Sequence, residues 1–123
     1  MKIDVPYGEV ADRVSILRIK ERRLVAPAQV ANTRRHRELL EAAWRAEAVP
    51  ALDGLPEWTE LCAVNEGLWD VEDALRACER DARFDAAFVD LARSVYRLND
   101  RRAALKRAID VALASPLVEE KSH

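Results

Sequence analysis

Between Pro56 and Asp81 the apolar residues Leu61, Val64, Leu68, Val71, Leu75 and Cys78 recur at alternating steps of three and four. A strand alternates every two residues, so this spacing dictates a long helix with one narrow apolar seam. Such a seam is covered only by other helices packed along it. The remaining chain agrees: 123 residues support one core, half of them are hydrophobic, and only three are glycine.

Punctuation marks four helices. Pro6 and Gly8 precede a first helix at about 9–24, whose acids lie in its first turn and bases in its last. Pro27 suits the first position of a second helix, about 27–48. VPALDGLPEW breaks the chain, with a turn at Asp53-Gly54 and a third helix at about 56–81. Asp85 is placed as the N-cap of a fourth helix, about 85–113, with Phe84 and Val89 as a hydrophobic staple. Ser115-Pro116 stops it, and residues 114–123 form a polar tail. The expected fold is all-α: one domain, an antiparallel bundle of about four helices with short loops.

Several function classes are disfavoured. The net charge of −2 argues against nucleic acid as a partner. No stretch approaches a membrane span, and MKIDVPYGE is not a signal peptide. Cys62 and Cys78 lie sixteen residues apart on one helix, roughly 24 Å, too far for a disulfide. They read as free thiols in a reducing cytoplasm. Two histidines, His36 and His123, give no Cys/His metal spacing, and no cofactor is expected.

Charge is laid out in blocks. Residues 13–37 carry eight bases and one acid, residues 38–81 twelve acids and three bases, and residues 82–113 seven bases and four acids. Oppositely charged helices lying side by side explain this, and so does a basic surface for an anionic partner. A groove lined by Arg18, Arg22, Arg34 and Arg37 would favour the second reading; salt bridges there would favour the first. Carboxylates three apart, as in all-α metal-dependent phosphohydrolases, occur at Glu9/Asp12, Glu38/Glu41, Glu57/Glu60 and Asp70/Asp73. Chance alone gives roughly four such pairs, so the motif is not enriched.

The fourth helix carries the anomaly. Its apolar stripe of Phe88, Leu91, Val95, Leu98, Leu105 and Ile109 is interrupted by Arg102, with Asn99 beside it. If the third and fourth helices form a hairpin, facing residues have numbers adding to about 166. Asn65 then meets Arg102, Trp69 meets Leu98, and Asp73 meets Arg93. Glu72 is the expected partner of Arg102 or Tyr96, with Trp69 roofing the cluster. Unpaired burial of such groups costs several kcal/mol each, so they satisfy one another, water or a ligand. Two readings stand: a register device, or a pocket for an anionic or sugar-like ligand with Arg102 as its clamp.

VNEGLWDVEDALR (64–76), FDAAFVDLARSVYRLNDRRAALKRAID (84–110), the opening VPYGEVADRVSILRIKERR and the ending LVEEKSH resemble a bacterial family, number six-one-six-five in the domain-of-unknown-function series. The resemblance spans nearly the whole chain and implies a gene encoded near glycosyltransferases of surface polysaccharide or lipopolysaccharide assembly, and with it an accessory role in cell-envelope glycan synthesis. It carries over Asn65, Leu68, Trp69, Glu72, Asp73 and Arg76, with Arg93, Tyr96, Asn99, Asp100, Arg102 and Lys106. His123 departs from the family's terminal aromatic Tyr. The resulting expectation is a cytoplasmic accessory or ligand-binding module without catalytic chemistry of its own. Its partner would be an anionic small molecule or a glycosyltransferase-type protein, and self-association would cover a leftover apolar stripe. The alternative is a small all-α enzyme acting on a phosphorylated or nucleotide substrate.

Overall fold

The computed structural model describes residues 1–115 and shows an all-α bundle. Its helices are α1 (Tyr7–Arg23), α2 (Pro27–Arg45), α3 (Trp58–Arg80) and α4 (Ala86–Ala112), with a short 3-10 turn at Leu52–Gly54. No strand occurs among the described residues. Residues 116–123, with most of the expected polar tail and His123, lie outside them.

Local chemistry sets the ends. Pro27 occupies the first turn of α2, as expected. That helix stops three residues earlier than its pattern suggested, because the Trp44 indole N–H donates to the Pro50 carbonyl at 2.9 Å and folds the chain back. The Asp85 carboxylate caps α4 by accepting from the Phe88 N–H at 3.3 Å. The staple is loose: Phe84 and Val89 are both exposed, and the Phe84 ring meets Phe88 edge-on. Helices α3 and α4 each end in a pair of C-terminal backbone hydrogen bonds around a left-handed residue, Ala82 and Ala114.

α3 and α4 pair as an antiparallel hairpin in nearly the expected register, since Gly67 lies against Leu98. α1 packs across both, and α2 packs on α1. The core sits at one end, where Ala11 and Val14 of α1 meet Leu61 and Val64 of α3 and Leu105 and Ile109 of α4. Trp44, Leu52, Leu55 and Trp58 close that end, with Tyr7 edge-on to Trp44. Beyond it, Cys78 is the one buried residue between 66 and 104, so the seam expected through Val71 and Leu75 is only half covered.

Helix α1 is seated on α4 by its N-terminus. Pro6 offers no side-chain cap. The Gly8 N–H instead donates to the buried Asp110 carboxylate at 2.7 Å, and the Tyr7 N–H donates to Ser115 Oγ at 3.3 Å. An acid at a helix N-terminus also complements the helix dipole.

The charge blocks resolve into ion pairs between neighbouring helices. Arg18 pairs with Glu41, Arg34 with Glu21, Arg37 with both Glu21 and Glu41, and Arg22 and Arg23 with Glu66. The groove lined by Arg18, Arg22, Arg34 and Arg37 therefore also contains the two glutamates that hold three of them. Hydrogen bonds from Arg37 and Arg34 bring the Glu21 carboxyl down to about 2. Hydrogen bonds from Arg23 lower Glu66, and those from Arg101 lower Glu60. Folded-state values below the unfolded ones mean that this stabilisation is complete above about pH 4.5 and is lost as pH falls towards 2. Melting temperature is expected to fall through that window, and Glu21→Gln is expected to flatten the fall. An unchanged slope in the variant would show that Glu21 does not drive the acid response.

Candidate functional site

The site is built around a carboxylate of α1, outside the α3–α4 hairpin that carries the expected polar layer. Asp12 of α1 is completely buried. Arg102 of α4 grips it with two hydrogen bonds, Nε to Oδ1 at 2.8 Å and Nη2 to Oδ2 at 2.5 Å. Asn65 of α3 donates to the same Oδ1 at 2.9 Å and to Ser15 Oγ at 2.7 Å. Ser15 in turn donates to the Asp12 carbonyl at 2.7 Å. Three helices thus converge on one acid, and a buried ion pair of this kind holds only when its remaining hydrogen-bonding capacity is filled.

A second cation lies behind the first. Lys106, itself buried, places Nζ 2.8 Å from Glu9 and 4.0 Å from Asp12. Burial alone would raise the Glu9 carboxyl, but hydrogen bonds from Lys106 and Arg13 hold it below the ordinary range. On the outer side, Arg102 Nη1 donates to Asn99 Oδ1 at 3.5 Å.

In front of this network is a cleft of about 450 Å3 between α1, α3 and α4. Ile16, Ile19, Leu68 and Trp69 form its apolar surface; Asn65, Asn99 and Arg102 are its polar part. Lys20, Glu72, Asp73 and Arg76 complete the lining. Arg23 stands over the Trp69 ring at 5.9 Å and is held there by Glu66 and Asp70. A preformed hollow with an apolar wall and a few fixed polar groups is the form that small-molecule sites take. No family model, curated protein or solved structure matches this chain.

Seven of the expected site residues meet in the cleft: Asn65, Trp69, Glu72, Asp73, Arg76, Asn99 and Arg102. The expected pairing within them is corrected. Arg102 bonds Asp12 on α1, whereas Glu72 makes no hydrogen bond or ion pair among the described residues. Tyr96 and Arg93 are exposed and do not line the cleft. At 100° per residue they lie about 240° and 180° around α4 from Arg102, so neither reaches the same side. Tyr96 instead meets the Arg97 guanidinium, and no contact joins Asp73 to Arg93 among the described residues.

The missed members are Asp12, Ser15, Ile16, Ile19 and Lys20, all on α1. One signal pointed to them: Asp12, Ser15 and Ile19 stand at i, i+3 and i+7, so an acid and a serine lie on the buried stripe of α1 beside Ala11, Val14 and Ile19. Trp44 and Trp58 pack in the core, while Trp69 is free to serve the cleft. In the carboxylate pairs spaced three apart, Glu9, Asp12, Glu41, Glu60 and Asp70 each face a cationic side chain, and Glu9 and Asp12 share Lys106. Among the described residues no group of three or more His, Cys, Asp or Glu is placed to hold a metal ion. Burial pushes the Cys62 thiol up, which suits packing better than nucleophilic attack.

Proposed function

We propose that this protein is a non-catalytic ligand-binding module, an accessory in the assembly of cell-envelope polysaccharide or lipopolysaccharide. One observation carries the binding part: the cleft's polar wall is held rigid by the Asp12–Arg102–Asn65–Ser15 network, so its groups stand ready before any ligand arrives. Such preorganisation favours binding, because little side-chain freedom remains to be lost. The glycan context rests on the sequence resemblance, and the cytoplasmic location on the free thiols Cys62 and Cys78. Among the described residues no helix is long and apolar enough to cross a membrane. A glycosyltransferase-type enzyme is the partner that this context supplies.

Thermal-shift measurement tests the reading. The full-length protein and Trp69→Leu are melted with nucleotide sugars, free nucleotides and inorganic phosphate, with and without Mg2+. Trp69 is a rim residue, so its variant should fold. A nucleotide sugar is expected to raise the melting temperature of the wild type and not of the variant. No shift with any compound would overturn the binding reading. Turnover of the bound nucleotide would overturn its non-catalytic part and identify a small all-α phosphohydrolase or transferase.

A further inference from the structure

The two asparagines of the cleft are oriented by the network behind them, and their orientations are opposite. Both Asn65 amide hydrogens are used, one on Asp12 and one on Ser15. Turning that amide over would set its oxygen against the Asp12 carboxylate. Its Oδ1 accepts no hydrogen bond among the described residues, although Asn65 is only 4% exposed, and it is not sealed from solvent. It is therefore the atom that Asn65 presents to the cleft. Asn99 is the reverse. Its Oδ1 faces the Arg102 guanidinium, which leaves its Nδ2 as a donor with no acceptor among the described residues.

An acceptor and a donor held on neighbouring helices match a group that offers one donor and one acceptor in return. A secondary amide does this, giving its N–H to Asn65 Oδ1 and receiving Asn99 Nδ2 on its carbonyl. The surroundings suit an acetamido group on a sugar ring. Ile16 and Ile19 offer apolar contact for a methyl, Trp69 a flat face for the ring, and Glu72 an acceptor for hydroxyls. The Arg102 charge is already matched by Asp12, so the polar wall does not require an anion. We infer that the cleft recognises an N-acetylated amino sugar by its acetamido group, an inference that rests on the ligand-binding reading above.

The test is a titration of the full-length protein with N-acetylglucosamine, glucose, glucosamine and N-acetylalanine methylamide, followed by amide and indole chemical shifts. N-acetylglucosamine is expected to bind at least about tenfold tighter than glucose or glucosamine, equivalent to one well-made pair of hydrogen bonds. Asn99→Asp keeps the acceptor for Arg102 and removes the donor; it is expected to abolish that preference while glucose binding persists. Equal binding of glucose and N-acetylglucosamine, or a preference that survives Asn99→Asp, would overturn the inference and leave the binding module standing. Tighter binding of the methylamide would replace the sugar by a peptide. If no probe shifts any resonance and nucleotide sugars do not raise the melting temperature, both readings fall.

Discussion

Arg102→Met is expected to destabilise the protein by about 3 kcal/mol, because it leaves the Asp12 carboxylate buried without its two charge-assisted hydrogen bonds. Lys106, 4.0 Å away, keeps the loss towards the lower end of the range for a broken buried pair. The partner assignment is tested by a double-mutant cycle. Asp12→Asn combined with Arg102→Met removes the stranded charge and is expected to recover much of the loss. Glu72→Gln in the Arg102→Met background is expected to add within about 0.5 kcal/mol. Denaturant midpoints at unchanged slope measure both cycles. Strict additivity for Asp12 and Arg102, or strong coupling for Glu72, would refute the assignment.

Gly8→Ala is expected to cost about 3 kcal/mol, because a methyl there overlaps the Lys106 backbone carbonyl and comes 2.9 Å from Asp110 Oδ1. The nearest obstacle is backbone, so it yields only if α1 lifts away from α4. That movement would also stretch the Gly8–Asp110 hydrogen bond and, one turn further on, the Asp12–Arg102 pair. Gly54→Ala is the control: nothing lies within 4 Å of a methyl at Gly54, and its stability is expected to stay close to wild type. Equal denaturant midpoints for the two variants would show that α1 does not need to approach α4 so closely.

The two predictions concern the same packing, which also makes the cleft. α1 brings Asp12, Ser15, Ile16 and Ile19 to a hairpin that already carries Asn65, Asn99 and Arg102. Without α1 the polar residues of α3 and α4 would stand on an open helical face. The hairpin's own register was legible from its turn, which is why Asn65 and Arg102 were expected at one height. Glu72 was the wrong partner because a two-helix argument contains no third helix to supply a nearer acid.

The sequence by itself determined which segments are helical, their ends to within about three residues, and that Asn99 and Arg102 interrupt the stripe of α4. Those properties depend on neighbours within a few residues: seam spacing, Pro27, and the Asp85 cap. It also carried the charge blocks, but not which glutamate each arginine would find. Only the tertiary structure decided that the core lies at one end, that Tyr96 and Arg93 face away from the cleft, and that Asp12 closes the site. The Asp12–Arg102 pair spans 90 residues of sequence. Periodicity specifies the face that a helix buries, whereas the side chains that meet there depend on how three helices cross. Here the close approach of α1 at Gly8 sets that crossing.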